Sequence, residues 1–264
     1  MKYCRFRSDG KATYGLVESV GGREEITRVL LSPPHLPHGT WEELPTRRME
    51  RVALDEAPLL VPIVPSKIVG VGRNYRDHAK ELGNELPREP LIFLKPPSSL
   101  IAYGEGIRRP AVSERVDHEG ELGVVIGREC HKVGDDEDPR GYILGYTCVN
   151  DVTARDLQNK DEQWTRAKGF DTFCPVGPVV SDEADPWAGA TVQTLVNGEE
   201  RQNGNTRDFI FPLDVIIRYI SQVMTLLPGD LIATGTPAGV GPLRAGDRVE
   251  INVQGVGRLR NPVE

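Results

Sequence analysis

Residues 116–127 read VDHEGELGVVIG. The apolar run Leu122 to Ile126 reads as a strand entering a core, and Glu119 and Glu121 stand at its mouth. On a strand, side chains two apart point to one face, so the two glutamates converge and Gly120 points away. Two carboxylates that close repel, and each raises the other's pKa unless a cation sits between them. Mg²⁺ answers that need, because it takes a few carboxylates and leaves its other octahedral positions to water or substrate. Taken alone, the pair reads first as a polar strand end facing water and second as a metal site.

Working outward, GYILGYTCVN (141–150) reads as a second buried strand, near enough to pair with 121–127. Asp151 closes it. An acid there is either an N-cap for VTARDLQ or a third oxygen donor beside the Glu-x-Glu pair. In GRNYRDHAKELG (72–83), His78 and Glu81 are three apart and share one face of a short helix expected over 74–82, with Asn74 as N-cap and Gly83 just past its end. A carboxylate beside a histidine orients it and raises its basicity, although an incidental charge pair on an exposed helix has the same spacing. Lys168 lies among apolar and small residues in WTRAKGFDTFCPVGP (164–178), and is either a surface lysine or a stabiliser of substrate negative charge. VGVGRNY lacks the third glycine of a dinucleotide fingerprint. ATGTPAGVG (233–241) lacks the Lys-Ser/Thr of a phosphate loop, and its glycines let backbone amides and Thr236 approach a ligand carboxylate.

Further strands are expected at 67–72, 91–95, 175–180, 190–198, 230–235 and 248–257, separated by turn residues at short intervals. PLDVIIRYISQVMTL (212–226) has helical apolar spacing, with Pro212 in its first turn and Pro228-Gly229 ending it. In KYCRFRSDGKATYGLVE (2–18), Asp-Gly between alternating segments predicts a hairpin. The Pro-rich APLLVPIVPSK marks a boundary near residue 60, dividing a small N-terminal β-rich domain (1–60) from a larger one (61–264). The whole is mostly β, in the α+β class.

The chain has 264 residues, is 38% hydrophobic and carries a formal net charge of −7, the balance of a soluble globular protein. No concentrated basic face suits it to nucleic acid. No apolar run reaches the roughly 18–20 residues that span a bilayer. The N-terminus has no apolar signal region, and the four cysteines form no C-x-x-C pair, so a reducing cytoplasm is expected.

In this order GRNYRDHAKELG, FLKPPSSL, DHEGELGVVIG, GYTCVNDVTARDLQ, AKGFDTFCPVGP and GDLIATGTPAGVG, across about residues 65–264, resemble the fumarylacetoacetate hydrolase family. The opening CRFRSDGKATYGLVE resembles the small N-terminal domain of its two-domain bacterial members. The resemblance implies a mixed β-sandwich roll, usually a homodimer. It implies Mg²⁺ or Mn²⁺ held by Glu119, Glu121 and Asp151, a water-activating dyad of His78 and Glu81, and an active-site Lys168. It places Arg73, Gln158 and Thr236 at substrate contacts. One departure is Val152-Thr153, where many relatives carry Trp-Ser beside the ligand aspartate.

The implied substrate is a small 2-keto or 2-hydroxy-enoic acid. The foremost expectation is isomerisation of a dicarboxylate such as 2-hydroxyhepta-2,4-diene-1,7-dioate in aromatic degradation. Acylpyruvate hydrolysis follows, then oxaloacetate decarboxylation. A metal-binding regulatory module without turnover is the non-enzymatic alternative.

Overall fold

Asp9 and Gly10 both take positive φ, 49° and 76°, the backbone that a two-residue type I′ turn needs. They join Lys2–Ser8 to Lys11–Val20 as the expected hairpin, in register from Ser8↔Lys11 to Lys2↔Val17. The structure is a computed structural model and describes residues 1–35, 44–81, 83 and 85–264. Arg23–Leu30 and Thr46–Ala53 continue the meander.

The other edge of Lys2–Ser8 pairs with Cys174–Ser181, so the N-terminal strands extend a sheet built mainly from later residues. From Cys174–Ser181 that sheet continues through Ile143–Asn150, Gly120–Ile126, Leu231–Ala233 and Ile68–Gly72 to Leu91–Lys95. Leu231–Ala233 runs parallel to Ile68–Gly72, and the other pairs along this path are antiparallel. The central strand Gly120–Ile126 is buried along its whole length, which is why its sequence is a continuous apolar run rather than an alternating one.

A second sheet, Glu199–Asn205, Thr191–Val196, Arg248–Val253 and Gly257–Pro262, lies against this one. Its inward residues Val192, Val249, Ile251, Val253 and Leu259 share one core with Leu122, Val124 and Cys148. A small third sheet joins Val116–His118 to Thr153–Ala154 and Gly241–Pro242. The strand-dominant, mixed, layered architecture is the one expected. All four cysteines are buried and unpaired, and burial pushes the thiols of Cys4, Cys148 and Cys174 up to about 12.

The helix expected over 212–226 is Leu213–Val223, with Leu213, Ile216, Ile217 and Ile220 inward. It stops early because Met224 is extended and Leu226 exchanges both backbone hydrogen bonds with Cys130. The helix expected over 74–82 is Arg76–Glu81, with Leu82 outside the described residues. Asn74 does not cap it. The buried Asn74 amide donates to Phe211 O and Thr234 O and accepts from Phe211 N, tying the helix entry to two distant loops. No helix among the described residues is long and apolar enough to cross a membrane.

Candidate active site

The glutamate pair sits where the chain changes sheets. Val116–His118 belongs to the small sheet and Gly120–Ile126 to the large one, with Glu119 between them. Asn150 is the register partner of Gly120, and its Oδ1 accepts the Glu119 N–H at 3.0 Å. Asp151 N then donates to Glu119 O at 2.8 Å. These backbone links bring the three acids together. Glu119, Glu121 and Asp151 are buried, and one carboxylate oxygen from each lies within 4.8 Å of the other two. The polar-strand-end reading of Glu119 and Glu121 is excluded, as is the N-cap reading of Asp151. The helix Arg155–Lys160 has Ala154 at its N-cap position and no side-chain cap.

Cations surround two of the three acids. Lys168, itself buried, donates to Glu119 Oε2 at 2.7 Å and to Asp151 Oδ2 at 2.6 Å. Lys95 Nζ lies 2.7 Å from Asp151 Oδ1 and donates to Lys168 O. Arg155 bonds Glu119 Oε1, Asp117 Oδ2 and Gln158 Oε1. Burial opposes the charge on Glu119, but Lys168 and Arg155 outweigh it and hold the carboxyl well below the usual range. Burial likewise opposes the charge on Lys168, and Asp151 and Glu119 more than restore it.

Glu121 is different. It accepts a hydrogen bond from Gly235 N at 2.9 Å, and no Lys, Arg or His among the described residues forms an ion pair with it. Burial, then repulsion from Asp151 and Glu119, push its pKa well above the ordinary value. The Gly-rich loop therefore does bring amides to carboxylates, but to the chain's own. Gly235 N meets Glu121, and Gly239 N donates to both oxygens of Glu81 at 3.1 Å.

Glu81 is exposed, and its carboxylate lies 3.4 Å from His78 Nδ1. Burial lowers the pKa of His78 below 6.5, against the pull of Glu119 and Glu81, so the ring is neutral at pH 7. His78 faces a cavity of about 290 Å³ lined also by Arg73, Arg115, Glu119, Arg155, Gln158, Trp164 and Lys168. The Arg73 guanidinium lies 5.9 Å from the Trp164 ring centroid. Thr236 is not in this lining. Its hydroxyl donates to Gly120 O at 2.9 Å and accepts from Gln202 Nε2 at 2.7 Å.

Residues 67–264 match the family model described as fumarylacetoacetate (FAA) hydrolase, C-terminal. The chain belongs to the fumarylacetoacetate hydrolase family. Residues 1–62 match the model described as Rv2993c-like, N-terminal, a two-part layout found in structural neighbours of the family. One is the 2-hydroxyhepta-2,4-diene-1,7-dioate isomerase of Mycobacterium marinum, 43% identical, with TM-score 0.86 over 100% of this chain and 98% of that one. The oxaloacetate tautomerase YisK of Bacillus subtilis is 42% identical over 80% of this chain and 74% of its own. The mitochondrial oxaloacetate decarboxylase of Dictyostelium discoideum is 45% identical over 72% of this chain and 89% of its own.

Family membership implies a divalent metal, and the donor set fits one. Three buried carboxylate donors converge, and Glu121 lacks the basic partner that Glu119 and Asp151 each have. Where many relatives carry Trp-Ser, Val152 is buried and Thr153 Oγ1 donates to Asp151 O at 2.8 Å. Arg155 escaped sequence reading although it touches Glu119 and lines the cavity. The available signal was the spacing of Arg155 and Gln158, three apart and so on one helix face.

Proposed function

We propose that the protein is a Mg²⁺- or Mn²⁺-dependent enzyme that isomerises a 2-hydroxy-enoic dicarboxylate of the 2-hydroxyhepta-2,4-diene-1,7-dioate type. The carrying observation is the buried triad Glu119, Glu121 and Asp151, whose Glu119 lines a cavity together with Arg73, Arg115, Arg155 and Lys168. Arg115 is paired to Asp117 through two bonds, at 2.9 and 3.1 Å. Arg73 has no ion pair among the described residues and is the cation left for a second substrate carboxylate. The M. marinum isomerase, alike over the whole chain, supports this substrate class.

Glu119, Glu121 and Asp151 would hold the ion, which would supply Lewis-acid polarisation of the substrate's 2-oxygen. Lys168 and Arg155 then lie beside the carbon skeleton, where negative charge develops, and their positive charge lowers the cost of removing a proton. Neutral His78 accepts the proton of the substrate's 2-hydroxyl at its free ring nitrogen and delivers it to a carbon of the conjugated chain, so that an O–H bond breaks and a C–H bond forms. Glu81 holds Nδ1 and steadies the cation formed in passing.

A second reading is acylpyruvate hydrolysis. It is favoured by the same His78–Glu81 contact, in which His78 takes its proton from water and not from the substrate. The Bacillus oxaloacetate tautomerase and the Dictyostelium oxaloacetate decarboxylase make oxaloacetate the third substrate to try. A panel of 2-oxo acids with Mg²⁺ and product identification tests all three. Isomerised hydroxymuconate-type product supports the proposal, and cleaved pyruvate supports the second reading. No turnover of any substrate removes the enzymatic reading in favour of a metal-binding regulatory module.

A further inference from the structure

Gln202 lies on Glu199–Asn205, a strand of the second sheet that contributes nothing to the cavity lining. Its side chain is buried, and both ends of its amide are fully used. Oε1 accepts from Gly120 N at 3.0 Å and Thr194 Oγ1 at 2.8 Å, and faces His118 Nδ1 at 3.2 Å. Nε2 donates to Thr236 Oγ1 and to Pro237 O, each at 2.7 Å. Thr236 Oγ1 in turn donates a hydrogen bond to Gly120 O at 2.9 Å. The result is a closed ring in which both peptide groups of Gly120 are held by one side chain and its threonine relay. Gly120 is the residue between Glu119 and Glu121.

The fit around Gly120 is close. A Cβ there would lie 2.1 Å from Thr194 Oγ1 and 3.0 Å from Ile251 Cδ1. Glycine is therefore required by the approach of the second sheet and not by any turn. The other end of the ring grips the Gly-rich loop two residues before Gly239, whose N–H holds Glu81. The same loop supplies Gly235 N to Glu121.

We propose that Gln202 is a positioning residue: its amide clamps Gly120 to the Thr236–Pro237 loop and so sets the convergence of Glu119 and Glu121 on the metal. A buried amide satisfied at every polar atom is costly to replace with an apolar side chain, because five partner groups lose their bonds together. Partners behind metal ligands typically contribute about 10- to 100-fold in metal affinity. This inference rests on the metal reading of the triad, and its test separates the two.

Metal-free parent, Gln202→Met and Val192→Ala are titrated with Mn²⁺ and their thermal unfolding is recorded. Val192 is a buried core residue of the neighbouring strand with no part in the ring. The expected result is an Mn²⁺ Kd raised about 10-fold or more in Gln202→Met, with Val192→Ala within about twofold of the parent despite its lowered Tm. Where Gln202→Met does not fold, Gln202→Glu carries the same expectation, since it keeps the acceptor oxygen and loses both donors. Parent-like Mn²⁺ affinity in the Gln202 variant overturns the clamp. So does an equal loss of affinity in Val192→Ala, which would make the effect one of stability alone. A parent that binds no Mn²⁺ overturns the metal reading itself, and the clamp with it.

Discussion

At the residue scale the most informative group is Glu121, a buried acid without a basic partner. With its pKa raised in the folded state, the metal-free protein loses stability as pH rises from the ordinary 4.5 through the raised value. Glu121→Gln removes that penalty, so the Tm measured in chelator at pH 8 should rise, by roughly 2–4 °C for each kcal/mol relieved. The same variant should lose the stabilisation that Mg²⁺ gives the parent. A lower Tm in chelator would show that Glu121 is already satisfied without an ion. His78 supplies a second prediction. Because its pKa is depressed, the base stays neutral down to below pH 6.5, and the acid limb of kcat/KM should lie under that value. An acid limb above pH 7 would contradict the assigned base. The convergence of Glu119 and Glu121 was legible from strand alternation, while Asp151 stood open between an N-cap and a third donor until the family resemblance chose between them. Lys95 was not legible, since nothing local distinguishes a buried cation from a surface one until the acids it neutralises are in place, and Arg155 was marked only by its spacing from Gln158.

At the scale of elements, the short helix Arg76–Glu81 owes its position to contacts outside itself, chiefly Asn74 and Gly239. Gly239 has φ +98°, and a Cβ there would lie 2.0 Å from Arg201 O. Gly239→Ala must therefore move the loop, withdrawing the amide from Glu81. Dyad-dependent turnover should fall about 10- to 100-fold. Parent-like turnover would show that the Gly239 amide does not hold the dyad. The helix Leu213–Val223 was readable from its spacing, and its early end was not, because Cys130, which pairs with Leu226, lies far away in sequence. Ile217 is fully buried there, so Ile217→Ala should cost about 2–5 kcal/mol in urea unfolding with the slope unchanged. A cost under about 1 kcal/mol would place that helix face outside the core.

At the scale of the molecule, the strand-rich layering and the N-terminal hairpin were visible in turn spacing and Asp-Gly chemistry. The order of strands was not, because it is set by long-range pairs such as Lys2–Ser8 with Cys174–Ser181. That pairing carries the N-terminal strands into the catalytic sheet, so calorimetry of the full chain should show one cooperative transition. Two resolved transitions would mean that residues 1–60 unfold independently. The account stands most directly on a titration of metal-free protein with Mn²⁺, parent beside Glu121→Ala. The parent should bind one ion, and Glu121→Ala should lose that binding while keeping its fold by circular dichroism. Parent-like binding in the variant, or none in the parent, would contradict the triad as the metal site.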